Sequence, residues 1–132
     1  MFKKAVEIVN YFIFENYPPE KKTRCKFVII ESSECLFFVF GPIDPFDYHA
    51  NLVGRFCTLN EIPSHWVEKP HLVEILDLEY KINGGGWLDF NPESKLIQIY
   101  GYSTAYGGYN NKQIAYIIEK SDFGTGFEIV LN

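Results

Sequence analysis

A stretch of small and hydroxyl-bearing residues, Tyr100-Gly101-Tyr102-Ser103-Thr104-Ala105-Tyr106-Gly107, follows the apolar run 96–99 and precedes Asn110-Asn111-Lys112-Gln113-Ile114. A strand that empties into such a turn just before a helix presents unpaired backbone N–H groups and a serine hydroxyl, which is how proteins hold a phosphate. Gly and Ser after a strand also make plain turns. Phosphoryl transfer needs, besides donors, a cation and a nucleophile or base. Lys26 offers a compact positive charge at the head of an apolar run, although a solvated lysine at a strand start is the plainer description of such a residue. His49 offers an imidazole, which takes a proton from water or attacks phosphorus itself near physiological pH. Near the amino end of a helix its charged form is disfavoured by the dipole, leaving a neutral base; it reads equally as a helix histidine with a satisfied hydrogen bond. His65 and His71 fall in a loop context that assigns them no chemistry.

Three motifs in order change the weight of these residues. Lys26-Phe27-Val28-Ile29-Ile30, then Tyr48-His49-Ala50, then Gly84-Gly85-Gly86 followed by a short strand and the Tyr-Gly-Tyr-Ser-x-Ala-Tyr-Gly string resemble the Janus/Ocnus family, whose best-known member is a phosphohistidine phosphatase. The resemblance covers roughly residues 26–57 and 83–120. It implies a metal-independent phosphohydrolase without a cofactor, acting on a phosphorylated protein or a small phosphoramidate. In that reading His49 is the general base or nucleophile, and Lys26, the Ser103 hydroxyl and the Ala105 N–H bind the phosphoryl group. The backbone N–H groups of Tyr48 and His49 complete the cradle.

Departures from the family pattern bear on the substrate. Trp87 stands where the family carries an arginine after its triple glycine, and Gly41 and Asp44 stand where it carries basic residues before the catalytic helix. Lost positive charge argues against a highly charged phosphoprotein substrate. A noncatalytic phosphate- or partner-binding module on the same fold is the alternative, and Trp87 and Asp44 are its support. A third reading makes Trp66, Trp87 and the aromatic excess a contact surface. Asp44 and Asp47 either cap the helix or raise the pKa of His49.

These residues need a scaffold, and the chain predicts an α+β fold: a single domain over 1–132 with a mixed, roughly six-stranded sheet flanked by helices. An apolar stripe over residues 2–16 predicts an additional N-terminal helix, placed within 1–20 and outside the resemblance. Strands are expected at 26–31 and 35–40, joined by Ser32-Ser33-Glu34. The continuous apolar run 37–40 requires a sheet covered on both faces. Asp44-Pro45 offers an N-cap and first-turn proline for a helix running to about Leu59. Residues 61–70, with two prolines, read as a loop, and 72–80 as a strand. Residues 87–90 and 95–101 form a second hairpin, followed by a helix over 111–121 and a strand over 127–131. Tyr100, Tyr102 and Tyr106 are expected to pack into the core.

With 132 residues, of which 47% are hydrophobic, the chain is able to bury one substantial core. A net charge of −5 disfavours nucleic acid and anionic membranes as partners. No apolar run reaches the roughly 20 residues of a membrane span, and Glu7 and Asn10 interrupt the N-terminus before a signal core develops. The expectation is a soluble, cytoplasmic protein; a monomer is one option, and the sequence leaves the oligomeric state open. Cys25, Cys35 and Cys57 lack the number and spacing of a disulfide framework or zinc site and are expected to be reduced and structural.

Overall fold

The computed structural model describes residues 7–12, 19–44 and 46–132. The elements, in chain order, are β1 (Glu7–Phe12), β2 (Thr23–Glu31), β3 (Cys35–Pro42), α1 (His49–Leu59), β4 (Ser64–Glu68), β5 (Leu72–Ile75), β6 (Lys81–Asn91), β7 (Leu96–Tyr100), α2 (Asn111–Lys120) and β8 (Glu128–Leu131). Six strands form one mixed sheet in the order β1-β3-β2-β6-β7-β8, and β4 with β5 makes a separate two-stranded sheet. The four central strands pair antiparallel, while β1 on β3 and β8 on β7 are parallel additions at the edges. No described helix is long and apolar enough to cross a membrane.

Alternation along β2 explains the layers. Cys25, Phe27 and Ile29 point to one face, where they join Phe38, Phe40, Leu88, Phe90, Ile97 and Ile99 under Ile114 and Ile117 of α2. Val28 and Ile30 point to the other, packing with Val39 against Ala50, Leu52, Val53 and Phe56 of α1. Both faces are therefore covered, as the unbroken apolar run in β3 requires. Lys26 shares the α1 face with Val28 but lies beyond its apolar patch, where α1 begins.

Three expectations are corrected. Residues 7–12, inside the expected N-terminal helix, form β1; the remainder of 2–16 lies outside the described residues. A short run of this kind fits both periods. Parallel pairing from Glu7 opposite Cys35 to Phe12 opposite Phe40 covers backbone groups that β3 would otherwise leave open at a sheet edge. Residues 64–68, expected as loop, form β4, and the strand expected over 72–80 ends at Ile75. Thus the sheet has its six strands, with β1 taking the place expected of β5.

The third correction concerns α1, which starts at His49 rather than at Pro45, a residue outside the described set. Tyr48 is the N-cap, and the Asn51 side chain reaches back to accept the Tyr48 N–H at 2.9 Å. A carboxamide three residues into the helix satisfies the cap in the way a capping-box Glu or Gln does. Asp44 and Asp47, both exposed, have no capping role. α2 has the expected cap: the Asn110 side chain accepts the N–H groups of Lys112 and Gln113 at 2.8 and 3.2 Å.

Candidate functional site

The triple glycine is where backbone must approach backbone. From Val28 to Ile30, two steps along β2, the partner strand moves three steps, from Gly85 to Ile82, so β6 carries a bulge. Gly84 takes φ +96° there, and a Cβ on it would lie 2.2 Å from the Gly108 carbonyl oxygen. A Cβ on Gly85 would lie 2.2 Å from the Phe27 oxygen and 3.1 Å from the His49 ring. The glycines thus let the loop after β7 dock on β6, where Gly85 N–H donates to the Gly107 carbonyl at 3.1 Å, and let the imidazole come close to the sheet backbone.

His49, the first residue of α1, is only 7% exposed. One ring nitrogen, Nε2, lies 2.8 Å from the Gly86 carbonyl oxygen. A carbonyl only accepts, so Nε2 carries the proton and Nδ1 is left with the lone pair. Burial pulls the pKa of His49 below its ordinary value; the Gly86 hydrogen bond opposes this, and the nearby Lys26 charge adds to it. The neutral base expected at a helix start is present, with desolvation as its chief cause. The suggestion that Asp44 or Asp47 raises this pKa is overturned, since Asp47 acts on Lys26 instead.

Lys26 is half-buried and donates from Nζ to the Asp47 backbone carbonyl. Its ammonium lies 4.8 Å from the centre of the Trp87 ring and 5.5 Å from that of Tyr48. Aromatic faces stabilise a cation in such positions. Burial lowers its pKa from the usual lysine value while the Asp47 charge works the other way. Cross-strand register produces this arrangement: Lys26 pairs with Trp87, and Trp87 with Tyr100. Arg24 is tied off at the edge, 3.1 Å from Asp89.

The loop from Gly101 to Gly108 is closed on itself. Ser103 and Gly107 exchange N–H···O=C bonds at 3.1 and 2.8 Å, and the Ser103 hydroxyl oxygen accepts the Tyr106 N–H at 3.1 Å. Tyr106 then fastens the loop to β5: its hydroxyl donates to the Val73 carbonyl at 2.8 Å and accepts the Val73 N–H at 2.9 Å. Burial pushes that phenol up to about 12, so it stays protonated. Tyr106 packs as expected. Tyr102 does not; it is 65% exposed and stands at a cavity rim.

That cavity, of about 490 Å³, is lined by Lys26, Tyr48, His49, Glu68, His71, Leu72, Trp87, Tyr102, Thr104 and Ala105. Of the residues expected to form a site, Lys26, Tyr48, His49 and Ala105 converge on it. Ser103 is 1% exposed and is absent from the lining; its hydroxyl oxygen shapes the loop that presents Thr104 and Ala105. Tyr48 contributes its ring, because its N–H is committed to Asn51. The amides of His49 and Ala50, the first two of α1, have no intrahelical acceptor. Sequence reasoning missed Glu68, His71 and Leu72, which the turn between β4 and β5 carries to the rim. No local period marks these residues; only recognising β4 and β5 as a hairpin would have found them.

A half-buried cation, a neutral imidazole and a helix start facing one cavity suit an anion with a reactive centre. No cysteine lines the cavity, and burial raises the thiol pKa of Cys57 and pushes that of Cys25 up to about 12. Among the described residues no three His, Cys, Asp or Glu side chains gather as a metal-ligand set.

Among the described residues, two helices on a mixed sheet, with a polar cavity where the first helix begins, are the class that fold and site define. The family model described as Janus/Ocnus family (Ocnus) matches residues 20–125, and the chain belongs to that family. No curated protein gives a significant match.

Proposed function

We propose that this chain is a metal-independent phosphohydrolase acting on phosphohistidine or a related phosphoramidate. The observation that carries the reading is the short contact of His49 Nε2 with the Gly86 carbonyl oxygen. Nε2–H is spent on the Gly86 carbonyl, so Nδ1 is the nitrogen with a lone pair, in a residue that shares one cavity with Lys26. In this mechanism Lys26 and the first amides of α1 offset charge on the phosphoryl oxygens, the role a metal ion has elsewhere. Nδ1 takes the proton of an attacking water or takes the phosphoryl group itself; both routes use the same atom.

A noncatalytic phosphate-binding module is the second reading, and Trp87 favours it. An indole covers Lys26 where the family resemblance calls for an arginine, which removes one cation from the mouth.

The two readings part on His49→Ala. Hydrolysis of a phosphohistidine peptide should fall at least about a hundredfold, while affinity for inorganic phosphate changes by less than about threefold, because Lys26 and the backbone donors remain. Equal, nonzero hydrolysis in both proteins would remove His49 from the mechanism. Phosphate binding with no hydrolysis in the parent would establish the noncatalytic module.

A further inference from the structure

The turn between β4 and β5 lies between the two segments that carry the family motifs, yet it forms one wall of the His49 cavity. Its shape is held by the His71 N–H, which donates to the Glu68 carbonyl at 2.8 Å. The His71 ring meets the Tyr48 ring edge to face, with centres 4.7 Å apart and planes at 86°. Tyr48 immediately precedes His49, so one aromatic contact fixes the second imidazole to the residue that positions the first.

The two histidines stand at different depths. His49 is buried at the floor, whereas His71 is exposed at the mouth. In-line displacement puts the attacking and leaving atoms on opposite sides of phosphorus. With the reactive nitrogen on the floor, the leaving atom faces the mouth. A peptide carrier is too large for a cavity of about 490 Å³ and must also exit there. Lys26 is held between two rings and against the Asp47 carbonyl. Of the remaining side chains at the mouth, an imidazole is the type that exchanges protons near neutral pH.

We infer that His71 donates the proton that the departing nitrogen of a phosphoramidate needs. The inference rests on the phosphohydrolase reading and adds the second half of its proton inventory. The P–N bond breaks, its electron pair stays on nitrogen, and that nitrogen receives the proton of the His71 imidazolium. A P–O bond forms to water, whose proton passes to His49; where His49 is itself phosphorylated first, the donor step is unchanged. His49 releases the proton it took to solvent and His71 recovers one, so the catalyst is restored and the net reaction is phosphoramidate and water to phosphate and amine. The other titratable side chains lining that cavity are Lys26, Tyr48, His49, Glu68 and Tyr102.

The test compares two phosphoryl donors. A phosphoramidate needs a protonated leaving group, whereas 4-nitrophenyl phosphate releases a phenolate that departs without one. In His71→Gln, kcat/KM for a phosphoramidate peptide should drop by about a hundredfold. Turnover of 4-nitrophenyl phosphate and affinity for inorganic phosphate should stay within about threefold. Free imidazole added to His71→Ala should restore part of the phosphoramidate rate. Equal losses on both donors, no loss on either, or no rescue would overturn the assignment while leaving the phosphohydrolase reading intact. A parent inactive on both donors would overturn that reading and this inference together.

Discussion

The two faces of the sheet are built from the same strands and end differently. On the α2 face the aromatic packing is continuous: Phe38 contacts Phe27, Phe40 and Phe123 with ring centres 5.1, 5.2 and 4.8 Å apart. On the α1 face the apolar patch stops at Val28, and the next position on that face is Lys26, beside Trp87, Tyr48 and the cavity. One β2 register therefore supplies a closed core and an open polar end. Stability should depend most on the closed face and chemistry on the open one, because the costs of burying charge are borne only where a ligand is able to compensate them.

Three substitutions probe this contrast, in order of expected size. Phe38→Ala empties the closed face and should cost about 3–5 kcal/mol in denaturant unfolding, with phosphate affinity of the folded fraction unchanged; altered affinity would mean that the faces are coupled. Gly85→Ala tests the boundary, since its Cβ would lie 2.2 Å from the Phe27 oxygen and 3.1 Å from the His49 ring. It should cost about 1–3 kcal/mol and also lower hydrolysis, whereas a stability loss with unchanged hydrolysis would show that His49 does not need the bare sheet beneath it. Trp87→Arg acts on the open end alone. It should strengthen phosphate binding by up to about tenfold at low ionic strength and less in high salt. Unchanged or weaker binding would show that the indole was not limiting the field at the mouth.

How the sequence disclosed this molecule follows the same division. The β2–β3 hairpin, the β6–β7 hairpin and α2 are legible because apolar alternation, turn residues and the Asn110 cap act over a few neighbours. Lys26 and His49 were legible as a pair only through the order of the motifs, and the fold brings both to one cavity. What escaped was decided by distant contacts. Residues 7–12 carry a pattern that suits either helix or strand, and the open edge of β3 decides between them. The start of α1 looked fixed by Asp44-Pro45, but a side chain three residues into the helix, Asn51, caps it later. Ser103 has the right type for a ligand and instead uses its hydroxyl oxygen to close its own loop. His71 and Glu68 reach the site through a hairpin whose prolines made it read as a loop.

The central claim, that His49 presents a neutral Nδ1 to an anion site, is open to a direct measurement: nitrogen-15 NMR of the imidazole through a pH titration, without and with inorganic phosphate. Desolvation lowers the pKa of His49, so the ring should remain neutral as pH falls past the ordinary histidine value and protonate only below it. Through that range the Nε2–H tautomer should dominate, because the Gly86 carbonyl accepts its proton. Added phosphate should shift Nδ1 more than Nε2. A ring protonated at neutral pH, a dominant Nδ1–H tautomer, or resonances indifferent to phosphate would contradict the account.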